Sequence, residues 1–232
     1  VVHDDDLVIG THGRSFWILD DVSSLRQSAA DPPSTTPVLY KPQLATRVRW
    51  HMNTDTPLPP EEPGGQNPPD GAMIDYWLPS DARSVAIQIL DGSGEIVRRY
   101  SSDDEPIEID PKSFSAPTYW LRAPRVVGRD RGSHRWLWDM RREPLTKGGG
   151  VPMTAILHDT PYGARGPWAP VGEYVVALEV DGVRTEQRLT LRLDPRVKTS
   201  AAGLRSQAKL SSGSYTRLRT LVGLRRSLEE VL

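Results

Sequence analysis

The residues of this chain with most chemistry to offer sit close together in DDDLVIGTHGRSFWILDD, residues 4–21. His12, Arg14, Trp17, Asp20 and Asp21 bring an imidazole, a guanidinium, an indole and two carboxylates into a short span. These five are the candidate ligand-binding residues, with turn capping and strand closure as the alternative role. The two carboxylates also raise glycoside hydrolysis, which needs an acid and a base or nucleophile flanking the scissile bond, about 5–10 Å apart. Adjacent residues of a strand point to opposite faces. Asp20 and Asp21 are therefore a poor active pair, and the favoured reading is turn capping.

Other reactive chemistry is thin. His134, Asp139 and His158 are scattered, and His3 with Asp4 to Asp6 reads as solvated charge. No HxH or HxxxH spacing nominates a metal site. The chain has no cysteine, so it has no thiolate ligand or nucleophile and no disulfide. No GxSxG nucleophile motif occurs. The run Gly148 to Gly150 lacks the Lys-Ser/Thr that would make it a phosphate loop. No catalytic residue, metal or cofactor is assigned.

Aromatic residues are the remaining signal: Trp50, Tyr76, Trp77, Tyr119, Trp120, Trp136, Trp138 and Trp168. Exposed and coplanar, Trp77, Trp120 and Trp168 would stack on sugar rings. Buried, the aromatics would fill a core that has only two Phe, and at ~25 cal/mol per Å² of apolar burial that role is the favoured one. Arg122, Arg135, Arg141 and Arg142 are expected to flank them, pairing with Asp139 or the acids near 103–110.

The elements that must position these groups are mostly strands. The 232 residues include 21 Pro and 19 Gly, which breaks the chain into short segments. Residues 7–11 and 15–19 read as strands around a His12-Gly13-Arg14 turn. No further strand of that sheet follows, and a lone hairpin is marginal in water, so its apolar residues Val8, Ile9, Phe16, Trp17 and Ile18 imply a partner. Residues 28–37 read as a linker. Alternating patterns then predict strands over 38–40, 45–50 and 73–79. A hairpin follows around Asp91-Gly92-Ser93-Gly94, with Ile87, Ile89, Ile96 and Tyr100 on its apolar face and Gln88 and Arg98 on the other.

Trp136 and Trp138 share one face of a later strand. Residues 172–193 form a hairpin turning at Asp181-Gly182. Beyond Pro195 the period becomes helical, with Thr199 or Ser200 as cap and Gly213 as an interruption that predicts two helices or a kinked one. Residues 196–232 hold eight Lys or Arg and two Glu, read as a solvated helix face. The whole chain has net charge −1, which nominates neither nucleic acid nor a membrane surface, and no apolar run approaches the roughly 20 residues of a membrane helix.

The string DLVIGTHGRSFWILDD, then NPPDGAMIDYWLP, VAIQILDGSGEIVRRY, TYWLRAP…HRWLWDMR and GPWAPVGEYVVALEVDG…LRLDPRVKTS, resembles in order the C-terminal region of bacterial sortilin-like (VPS10-like) β-propeller proteins, often labelled glycosyl hydrolases with BNR repeats. The resemblance implies a large exported protein, periplasmic or extracellular. In it, residues 1–27 would be the terminal hairpin of the last propeller blade, and Leu19 to Ser23 a decayed Asp-box turn with Val22 near the Gly position.

The expected fold is all-β. Residues 28–40 are a linker, 41–195 an immunoglobulin-like or FlgD-like β-sandwich, and 196–232 a helical tail. The expected role is that of a non-catalytic accessory module contacting the upstream propeller and a protein or glycan. The alternatives are part of a glycoside hydrolase whose site lies mainly in the propeller, and a carbohydrate-binding module.

Overall fold

The computed structural model describes all residues except 33–34, 50–60, 63–64, 66–67, 114–116, 123–124, 146–159, 161–162, 164 and 230–232. Trp50, His158 and Gly148 to Gly150 thus lie outside the described residues. Strands are the commonest regular element, and the last element is a C-terminal helix.

β1 (Val2–His3), β2 (Asp6–Gly10) and β3 (Phe16–Leu19) form an antiparallel ribbon in that order, which no later described strand joins. Gly13 and Ser15, both with positive φ, make the turn, and Thr11 closes it by donating from its N–H and its hydroxyl to Ser15 O. The side chains of β3 are exposed along its length: Phe16 by 79%, Trp17 by 64%, Ile18 by 60% and Leu19 by 45%. Since successive side chains alternate between faces, both faces of this apolar strand are uncovered.

α1 (Ser23–Ala30) comes next, where sequence reading expects hairpin and then linker. It buries no residue and is held by polar contacts. Arg26 pairs with the Asp5 carboxylate, and the Gln27 amide both donates to Lys41 O and accepts from Lys41 N. β4 (Val38–Leu39) falls where the alternating pattern predicts a strand over 38–40, at the end of the span assigned to the linker.

Two sheets follow. β5 (Ala45–Arg47), β6 (Ala72–Leu78), β7 (Val85–Leu90), β8 (Ile96–Ser101), β9 (Gly132–Trp138), β10 (Gly172–Val180) and β11 (Val183–Leu193) distribute as a five-stranded sheet β5-β11-β10-β7-β8 and a three-stranded sheet β4-β6-β9. All pairings are antiparallel except β5 with β11. Ile74, Tyr76, Leu78 and Trp138 of the smaller sheet share one buried cluster with Val85, Ile87, Ile89, Val176, Leu178, Leu189 and Leu191 of the larger. Trp138 fills this core, as the scarcity of Phe suggests.

The hairpin β10–β11 has the expected two-residue turn: Val180 pairs with Val183, with Asp181 at φ 50° and Gly182 at φ 86°. Two positive φ values in succession match the twist of the flanking strands. The β7–β8 hairpin departs from expectation. A bulge sets Leu90 opposite Ile96 but Ile89 opposite Arg98, so Val97 is the extra residue and is buried while Ile96 is half exposed. The shift also moves Arg98 off the solvent face. Its guanidinium lies 4.8 Å from the Tyr100 ring centroid and pairs with Glu143 at 3.2 Å.

The tail decides against the first of its two expected forms, a pair of helices. α2 (Ala201–Glu229) is one helix running through Gly213, because an interior glycine costs only about 1 kcal/mol against Ala. Ser200 caps it: its Oγ accepts from Gly203 N at 3.1 Å. Tyr215 docks it, donating from its hydroxyl to Glu143 O at 2.9 Å.

Candidate functional site

The five ribbon residues are divided between two places. His12 and Arg14 are exposed at the β2–β3 turn, and Trp17 packs its indole N–H back on Arg14 O at 3.2 Å. Asp20 and Asp21 lie at the other end of β3, on the order of 13 Å away at about 3.3 Å per residue. The structure does not bring the two groups together.

Asp20 and Asp21 meet Arg135 instead. The Arg135 guanidinium donates to Asp20 O and to Asp21 O, each at 2.6 Å. It also grips the Asp75 carboxylate with two hydrogen bonds of 2.8 Å, from Nε and Nη2. Asp75 and Arg135 are register partners on β6 and β9, so the sheet itself aims the fork at the ribbon's exit. Of the two Asp side chains, that of Asp21 serves this joint. Asp21, at φ 51°, accepts from Ser23 N at the start of α1, and its own N–H donates to the Asp6 carboxylate. The Asp20 carboxyl is raised above its ordinary range by burial and by the charge of Asp6, with Arg135 opposing. A raised carboxyl suits a general acid, and the nearby Asp6 charge contributes to the shift. Beside the joint, Leu25, Tyr40, Tyr76 and His134 line a surface cavity of about 210 Å³.

The three stacking candidates are also dispersed. Trp77 is half-buried in β6 opposite Val38 and Ser133. Trp120 ends a short 3₁₀ turn, edge-on to Tyr119, and its buried Nε1 has no acceptor among the described residues. Trp168 pairs with Arg141 through an isolated bridge. Three of the four arginines expected near the aromatics find other acids than Asp139 or residues 103–110: Arg122 meets Asp70, Arg135 meets Asp75 and Arg142 meets Glu95. Arg141 stacks as expected, its guanidinium carbon 3.7 Å from the Trp168 ring centroid, while Arg142 lies 5.9 Å from the ring of Tyr215.

Around Trp168 lies a site that sequence reading misses. The Arg47 guanidinium stands 5.8 Å from the same ring and donates to Ala169 O at 2.6 Å. Arg141 donates to Gly166 O at 3.0 Å. Arg205 comes from α2 to complete the wall of a cavity of about 470 Å³. Burial lowers the Arg47 guanidinium. Arg141 is pushed down to about 10, by burial first and by Arg165 and Arg47 next, against Asp139 and Asp70. No local pattern announces this cleft, because its residues come from β5, the segment after β9, the segment before β10, and α2.

Among the described residues no group of three or more His, Asp or Glu could hold a metal ion, and no helix is long and apolar enough to cross a membrane. No protein-family model matches the chain, and neither does any curated protein or solved structure.

Proposed function

We propose that the chain is a non-catalytic accessory module, an immunoglobulin-like sandwich with a helical tail, at the C-terminal end of an exported sortilin-like β-propeller protein. Its ribbon would supply the closing strands of the last blade. The observation that carries this reading is β3. An ordinary surface hairpin shows solvent a polar face, whereas Phe16-Trp17-Ile18-Leu19 is apolar on both, the pattern of a strand buried on two sides. Its outer edge is also unpaired among the described residues. Neighbouring blades and strands of the same blade would cover both faces and that edge.

The joint at Arg135 supports the reading, because a module that only closes and props a propeller needs a fixed angle between ribbon and sandwich. The separation of His12 and Arg14 from Asp20 and Asp21 argues against a catalytic set within these residues. The test is hydrogen exchange of residues 6–19 in this chain alone and joined to its propeller. Fast exchange alone and strong protection in the longer protein are expected. Equal exchange in both, or glycosidase activity of this chain that Asp20→Asn abolishes, overturns the reading.

A further inference from the structure

The cleft beneath α2 combines features that the accessory role does not use. Every charged side chain among the described residues lining it is an arginine: Arg47, Arg141 and Arg205. This is a local excess, since the whole chain carries a net charge of −1. None of the three forms an ion pair among the described residues. Arg47 and Arg141 instead rest one N–H each on a backbone carbonyl. Half-buried guanidinium groups without a carboxylate partner are unfavourable, and neighbouring positive charges add to that cost. The depressed Arg141 reflects both terms. The remaining wall is largely apolar, with Trp168, Pro170, Val171 and Leu204. A volume of about 470 Å³ falls in the range of small-molecule sites.

We propose that this cleft binds a small organic carboxylate borne on a ring-sized apolar body. Arg47, Arg141 and Arg205 take the carboxylate, while Trp168 and Leu204 pack against the ring. The planar fork of arginine matches a carboxylate with two parallel hydrogen bonds, and the apolar wall selects against a bare inorganic anion, which would stay hydrated. An acidic sugar and a simple cyclic acid share this chemistry. The site lies outside the ribbon and its joint, so the inference does not depend on the propeller reading.

The experiment is calorimetric titration of the full chain with digalacturonate, its methyl ester, cyclohexanecarboxylate and inorganic phosphate, with tryptophan fluorescence followed in parallel. Saturable binding of at least one carboxylate is expected, at least tenfold tighter than the ester or phosphate. Digalacturonate binding more tightly assigns the ligand to acidic sugars, and cyclohexanecarboxylate binding more tightly assigns it to simple cyclic acids. Arg141→Gln should weaken the better ligand at least tenfold and Trp168→Phe should remove most of the fluorescence change. Arg205→Ala, at an exposed position on the rim of the cleft, should weaken it about fivefold without touching the fold. The proposal is overturned if neither carboxylate saturates below 10 mM, if ester or phosphate binds as well, or if Arg205→Ala and Arg141→Gln, both shown folded by circular dichroism, bind like the parent.

Discussion

Arg135 and Asp75 face each other across β6 and β9, and the same guanidinium that closes their two-pronged pair also holds the two carbonyls at the exit of the ribbon. One side chain thereby serves sheet and joint together. The hydrogen bonds it donates to Asp75 hold the Arg135 guanidinium charged, above its already high ordinary range, against the opposing effect of burial. Breaking a buried pair from one side leaves the other charge uncompensated, which costs about 3–5 kcal/mol.

Arg135→Gln should therefore lower stability by about 3 kcal/mol, near the lower end of that range because the pair is partly exposed. Chemical denaturation measures it. In the same variant the amides of Ser23 and Val22 should exchange faster than those of β10 and β11, since the joint is lost while the sandwich persists. Uniform acceleration throughout the chain would assign Arg135 to the sandwich alone.

Trp17→Ser and Ile18→Ser should each change the stability of this chain by no more than about 0.5 kcal/mol, because exposed side chains contribute little. Their effect should appear in association. Light scattering at high concentration should fall as the exposed apolar patch shrinks. A loss of several kcal/mol would mean that the ribbon is already covered.

Asp194, where β11 ends, is held down to about 2 by hydrogen bonds from the Arg196 side chain and then its backbone N–H, against opposing desolvation. The unfolded value is about 3.9. A carboxyl depressed by folding adds stability above the unfolded value and loses it as pH falls through the folded one. The stability difference between the parent and Asp194→Asn should be constant from pH 5 to 7 and vanish between about pH 4 and pH 2. A difference independent of pH would place the effect of the substitution elsewhere.

Two glycines should respond with opposite sign. Gly213 in α2 has open space where a Cβ would stand, so Gly213→Ala should stabilise by about 0.5–1 kcal/mol. A Cβ on Gly166 would collide with the carbonyl oxygen of Arg142, so Gly166→Ala should destabilise and should also disturb the strap that carries Trp168. Thermal melts of both variants suffice to check this.

Sequence alone determined what short windows encode. The Asp181-Gly182 turn follows from two residues that tolerate positive φ, the hairpin of β10 and β11 from its two-residue period, a helix cap at Thr199 or Ser200 from hydroxyls just before a helical pattern, and the orphaned ribbon from an apolar hairpin with no sheet mates after it. Tertiary structure decided whatever depends on which distant segment arrives alongside. The bulge that buries Val97 and turns Arg98 inward reflects the register against β7. The choice of Asp75 over Asp139 as the partner of Arg135 reflects the pairing of β6 with β9. The gathering of Arg47, Arg141 and Arg205 around Trp168 joins segments up to 158 positions apart. Periodicity and turn chemistry act over a few residues, whereas burial, ion pairing and cavity shape are set by contacts that form only when the chain has closed on itself.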